Sequence, residues 1–172
     1  MNLANKLTIL RIFLVPIFLF IIAIKVKYGN YIATAVFIIA ALTDTLDGYI
    51  ARSKNQITRF GKFMDPLADK LIVTAALISM VEMKKLPTWV VMIIVAREFA
   101  ITGLRAIAAS EGVVIAASKW GKLKTVTQII AIVAALMELP YNDVLISLAV
   151  IITIISGVDY IIKNKKLLNP RE

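Results

Sequence analysis

The sequence predicts an all-α, polytopic integral membrane protein with six transmembrane helices. Three observations carry that prediction. Sixty per cent of the 172 residues are hydrophobic and 18% are charged, with a mean hydropathy of +0.85; soluble domains run at roughly 45–50% apolar and about 25% charged. The apolar residues fall into six stretches, and at about 20 residues per crossing the chain has room for about six spans. The basic residues gather between those stretches. Cysteine and histidine are both absent. That excludes disulfides, thiolate nucleophiles, zinc–sulfur sites, Ser–His and Cys–His machinery and imidazole ligation. Any catalysis is left to carboxylates, Lys, Arg, hydroxyls and hard metal ions.

The first stretch runs from about Leu7 to Ile24, with Arg11 near its start. The polar residues before it are too few for a signal peptide, so it is expected to remain as a span. The second begins near Tyr31 and is apolar to Leu42, where it meets Asp44 and Asp47. The third follows Pro66 and reaches about Met83. The fourth starts at Pro87, a residue suited to a first helical turn, and runs to about Ala109. The fifth covers Thr125 to Leu139 and the sixth Val144 to Ile162. No internal repeat, linker or low-complexity tract interrupts them, so residues 1–172 read as a single domain.

Six crossings place both termini on one side. That side collects most of the Lys and Arg, whereas Lys25, Lys27, Lys84 and Lys85 fall on the other. The positive-inside rule therefore puts both termini, the second-to-third loop and the fourth-to-fifth loop in the cytoplasm. The net charge of +9 reads as orientation and attraction to anionic headgroups, not as a nucleic-acid surface.

The informative residues are acids where acids are expensive. Asp44 and Asp47 lie about 60° apart on the second helix, and Gly48 and Ala51 extend the stripe. Two nearly absent side chains beside two carboxylates let a bulky ligand approach the backbone. Across a short basic loop, Gly61, Asp65 and Asp69 repeat at a spacing of four and share one face of the third helix. A short loop makes the two helices antiparallel, so the acidic stripes can face each other at one depth. Four carboxylates near lipid demand cations. Pairing with Arg52, Arg59, Lys62 or Lys70 would explain a single acid, but not four on two aligned faces. Two divalent ions would balance them, and all-oxygen ligation suits Mg²⁺, Mn²⁺ or Ca²⁺ rather than zinc.

The same residues spell D-G-x-x-A-R, eight residues, then G-x-x-x-D-x-x-x-D, with Asp44 as the preceding acid. This pattern resembles that of the CDP-alcohol phosphotransferase family at Asp47, Gly48, Ala51, Arg52, Gly61, Asp65 and Asp69. The N-terminal NKLTILR, the AREFAITGLR segment and the WGKLKT run are also similar to family members, in particular those whose acceptor is glycerol 3-phosphate. The resemblance implies a six-helix membrane enzyme that moves the phosphatidyl group of CDP-diacylglycerol to an alcohol and releases CMP. It implies that Asp44, Asp47, Asp65 and Asp69 hold a divalent metal, as two ions of Mg²⁺ or Mn²⁺, with Asp69 as the catalytic general base. It assigns CDP to Asp47, Gly48, Ala51, Arg52 and Gly61, together with Asn5, Thr8 and Arg11. A homodimer in the bacterial cytoplasmic membrane, its active site facing the cytoplasm, is implied as well.

A phosphate-bearing acceptor needs cations of its own. Arg97 and Arg105, about 80° apart on the fourth helix, suit that role. Glu98 is adjacent to Arg97 and available as a local charge partner. Lys119, Lys122 and Lys124 are expected in the following loop, where membrane topology explains them as well as acceptor binding does. The sixth helix contributes no candidate residue. An inositol phosphate or serine acceptor is the nearer alternative within the family. A cation transporter is the remote one: it needs polar groups through the whole membrane, and the far halves of these spans are apolar.

Overall fold

Long apolar runs satisfy their own backbone hydrogen bonds as helix, and the described residues form six: α1 (Leu3–Ala23), α2 (Gly29–Ser53), α3 (Arg59–Glu82), α4 (Thr88–Ser110), α5 (Lys119–Leu136) and α6 (Asn142–Lys163). The computed structural model describes residues 3–53, 59–113, 115–116 and 118–165; within these, the side chains of residues 4, 44–53, 59–60 and 62–63 lie outside the description. No strand occurs among the described residues. The helices hold from 18 residues (α5) to 25 (α2). At about 1.5 Å per residue that is roughly 27–37 Å, comparable with a hydrocarbon core of about 30 Å. Asn5–Ala23 and Asn142–Lys163 are each long and apolar enough to cross a membrane, and Gly29–Thr43 is a shorter apolar run.

Two helices, α3 and α5, begin six or more residues before their apolar stretches. α3 starts at Arg59 and continues through Pro66. Proline removes one N–H from the ladder but is tolerated in apolar helices, as at Pro16 in α1. α5 starts at Lys119 because Ser118 Oγ accepts the Gly121 N–H at 3.0 Å, capping the first turn. α4 ends in a Schellman turn, with the Val113 N–H on the Ala108 carbonyl and the Gly112 N–H on that of Ala109. Gly112 takes the left-handed φ of +76° that this turn needs.

The chain divides into two compact units, residues 1–85 with 136–138 and residues 86–135 with 139–172. In the first, α1 packs against α2 and α3. Phe18 and Phe37, both fully buried, meet with ring centroids 6.5 Å apart. Ala33, Phe37 and Ala40 supply the inner stripe of α2, and Ala68, Ile72, Ala75, Ala76 and Ser79 that of α3. Lys85 Nζ pairs with Glu138 at 2.9 Å and holds that exposed carboxyl below its usual range, first through the hydrogen bond and then through charge. In the second unit, α4 packs against α6.

Each unit exposes large apolar side chains and buries several polar ones among its apolar core. Phe13 and Phe20 are 64% and 66% exposed, whereas Thr8, Arg11, Thr153 and Ser156 are fully buried. Water would drive the opposite distribution; a hydrocarbon solvent accepts this one, because lipid tails are as apolar as leucine. Helix hydroxyls without other partners bond back to their own chain, as Thr34 does to the Asn30 carbonyl and Thr102 to that of Glu98, both at 2.7 Å.

Burial locates the stability. Phe37→Ala should destabilise the detergent-solubilised protein by about 3–5 kcal/mol, whereas Phe13→Ala should cost under about 1 kcal/mol. Thermal or denaturant unfolding of the two variants checks the contrast, and equal losses would contradict the packing described.

Candidate functional site

Two groups of charged residues stand inside this fold, one in each unit. The first lies at the N-terminal ends of α1 and α3. Asn5, Thr8 and Arg11, spaced by three, turn the first part of α1 into a buried polar face. Thr8 Oγ1 donates to Asp65 Oδ1 at 2.6 Å, joining α1 to α3 across 57 residues of sequence. Gly61 is buried one turn before Asp65 and Asp69 lies one turn after it, both acids being part-buried. The turn after α1 sends α2 back along it, as the Phe18–Phe37 contact shows. The C-terminal part of α2, which carries Asp44, Asp47, Gly48, Ala51 and Arg52, therefore returns to the same end. Those five side chains lie outside the described residues.

A carboxylate such as Asp65 has two oxygens and about four lone-pair positions. With one oxygen accepting from Thr8, it keeps capacity for another partner. All-carboxylate donors fit a hard divalent cation. Among the described residues no three acidic side chains converge; Asp44 and Asp47 are not among those described.

The second group lies on α4, α5 and α6. Arg97 sits on the buried stripe of α4 between Ile94 and Ile101. Its Nη1 donates to Glu98 Oε1 at 3.2 Å and its Nη2 to Ser156 Oγ at 2.7 Å. Glu98 Oε1 also accepts from Lys124 Nζ at 2.5 Å. Arg97, Glu98 and Lys124 thus form one ion-paired triad. Arg105 Nε donates to Tyr160 Oη at 2.6 Å, and its guanidinium carbon lies 5.3 Å from the tyrosine ring centroid. Arg97 Nε and Gln128 Nε2 are buried donors with no hydrogen-bond partner among the described residues.

The structure corrects the expected place of the three lysines. Lys119, Lys122 and Lys124 stand in the first turns of α5, not in a loop. Lys119 and Lys122 are exposed, but Lys124 is 7% exposed. The Ser118 cap extends the helix back over them, and Glu98 compensates the charge that burial isolates. The local pair of Arg97 with Glu98 is present as expected. The sequence reading missed Ser156 and Tyr160, although polar residues at 153, 156 and 160, spaced by three and four in an Ile- and Val-rich helix, are a legible stripe.

The chain is similar to known proteins over nearly its whole length. The family model described as CDP-alcohol phosphatidyltransferase matches residues 1–155. A CDP-diacylglycerol–glycerol-3-phosphate 3-phosphatidyltransferase of Bacillus subtilis is 45% identical over 95% of each chain. The enzyme of that name from Haemophilus influenzae is 39% identical over 93% of this chain and 91% of its own length. A probable phosphatidylglycerophosphate synthase of Mycobacterium tuberculosis is 41% identical over 93% of this chain and 80% of its own.

The Thr8–Asp65 bond is open to direct test. Thr8→Val keeps the shape and removes the donor, and should cost about 1–2 kcal/mol, whereas Thr8→Ser should keep most of the stability. Unfolding in detergent measures both; a Thr8→Val protein as stable as the wild type would show that the bond contributes nothing.

Proposed function

This chain belongs to the CDP-alcohol phosphatidyltransferase family, and we propose that it transfers the phosphatidyl group of CDP-diacylglycerol to sn-glycerol 3-phosphate, giving phosphatidylglycerophosphate and CMP. The observation that carries the reading is likeness along nearly the whole chain to enzymes named for that reaction, with every position of the acidic motif present. It is an enzyme of phospholipid synthesis acting within a membrane.

The chemistry follows from the residues. The acceptor hydroxyl attacks the phosphatidyl phosphorus, the bond to the bridging oxygen breaks, and CMP departs with that oxygen. The hydroxyl proton goes to the Asp69 carboxylate, the general base. Asp44, Asp47, Asp65 and Asp69 would hold divalent metal, Mg²⁺ or Mn²⁺, which supplies positive charge to the attacked phosphoryl group and the leaving oxygen. Thr8 fixes the rotamer of Asp65, so one carboxylate of the set is oriented before any ligand arrives. Gly48, Ala51 and Gly61 leave room for the cytidine and its phosphates, with Asn5, Arg11 and Arg52 as polar partners. Arg97, Arg105 and Lys124 hold the acceptor phosphate. Guanidinium groups bind phosphate through paired N–H donors. Lys119 and Lys122, exposed on α5, draw anions toward it.

All six helices cross the bilayer in this reading, with both termini and the acid-bearing helix ends at the cytoplasmic face. Residues 1–172 act as one domain, and the enzyme works as a homodimer in the bacterial cytoplasmic membrane. That orientation serves a donor with a lipid tail and a water-soluble head, and an acceptor drawn from water.

Purified protein supplied with CDP-diacylglycerol should release CMP with glycerol 3-phosphate, and not with serine or an inositol phosphate, only when Mg²⁺ or Mn²⁺ is present. Asp69→Asn should bind the donor but turn over about 10²–10⁴-fold more slowly. Full turnover in chelator would remove the metal from the reading. Loss of donor binding with unchanged turnover at saturation would make Asp69 a binding residue.

A further inference from the structure

α6 carries no part of the acidic motif, yet its inner face is polar. Thr153, Ser156, Gly157 and Tyr160 are buried along it, while Ile151, Ile154, Ile155 and Val158 face outward. Three of the inner residues meet the arginines of α4. Ser156 Oγ accepts from Arg97 Nη2, and Tyr160 Oη accepts from Arg105 Nε. A Cβ built on Gly157 would stand 3.2 Å from Arg97 Cγ, so glycine there leaves a passage for the arginine stem. The contacts advance together, from 97 to 105 on α4 and from 156 to 160 on α6, so the two helices run parallel and α6 meets both guanidinium groups in order.

We propose that Ser156, Gly157 and Tyr160 are positioning residues that set the geometry in which Arg97 and Arg105 receive the acceptor's phosphate monoester; this rests on the function proposed above. Arg97 is held from two sides, by Glu98 through Nη1 and by Ser156 through Nη2. Glu98 is itself anchored by Lys124. A guanidinium fixed in this way binds phosphate without first losing rotamer freedom, which is what preorganisation contributes to affinity. Arg105 is exposed and would sample many rotamers without a partner. Tyr160, packed with Ile101 and Leu104, gives it both a hydrogen bond and a ring face. Replacing Ser156 or Tyr160 leaves the charges in place and removes only their aim.

The test is a pair of saturation curves, one per substrate, for the wild type and for Arg97→Lys, Ser156→Ala, Ser156→Thr, Gly157→Ala and Tyr160→Phe, with unfolding measured in parallel. Ser156→Ala should raise the KM for glycerol 3-phosphate about tenfold, the scale of one hydrogen bond to a charged group, and leave that for CDP-diacylglycerol within about twofold. Ser156→Thr, which keeps the hydroxyl, should recover much of the loss. Gly157→Ala should shift the same KM by crowding the stem, and Tyr160→Phe by less than Ser156→Ala because the ring face remains. If Ser156→Ala does not fold, Gly157→Ala and Tyr160→Phe carry the comparison. A merely structural role would lower stability, or both substrates' parameters alike, without that split, and would overturn the proposal. If Arg97→Lys raises the glycerol 3-phosphate KM and the α6 variants do not, the positioning role alone fails. If the wild type takes no glycerol 3-phosphate, or Arg97→Lys leaves its KM unchanged, the functional reading fails and the positioning role falls with it.

Discussion

Charge that cannot be left bare in a low-dielectric surround governs this molecule. Asp44, Asp47, Asp65 and Asp69 bring four carboxylates to the ends of two largely apolar helices, and removing even one such group from water costs several kcal/mol unless a partner replaces the lost hydration. α1 answers part of that demand inside the fold. Its first turns present Asn5, Thr8 and Arg11 inward, and Thr8 donates to Asp65. Bound cations answer the rest in the proposed reading, so the feature that makes the helix ends unstable alone is the one that recruits metal and a pyrophosphate donor.

The second unit solves the opposite problem. Arg97 on α4 is a half-buried cation and Lys124 on α5 a buried one, and Glu98 accepts from both. Ser156 adds a neutral acceptor for the other arm of the Arg97 guanidinium. In the proposed reading the apolar outer faces follow from the solvent: with lipid outside, isoleucine and phenylalanine need no burial.

The sequence made the number of helices among the described residues legible because apolar runs are local. Apolarity marks only the part of a helix that resides in hydrocarbon, so the start of α3 before Pro66 and that of α5 at Lys119 were hidden in polar sequence. Lys124 reads as a loop lysine in WGKLKT; its burial depends on Glu98, 26 positions away on another helix. Periodicity cannot reveal such a pair. Ser156 and Tyr160 were within reach of a stripe analysis, but their meaning depends on α4 lying alongside α6 in a parallel sense. The N-terminal residues were expected near the donor site on family resemblance, and the structure supplies a physical connection for one of them, the Thr8–Asp65 bond.

Direct titration of Mn²⁺ into purified protein, read by electron paramagnetic resonance, addresses the controlling charge balance without relying on turnover. About two ions should bind per chain, close enough to couple magnetically, as expected of a two-metal phosphoryl-transfer site. Asp47→Asn and Asp65→Asn should each weaken binding and abolish the coupling. Absence of specific Mn²⁺ binding, or binding that neither substitution alters, would contradict it.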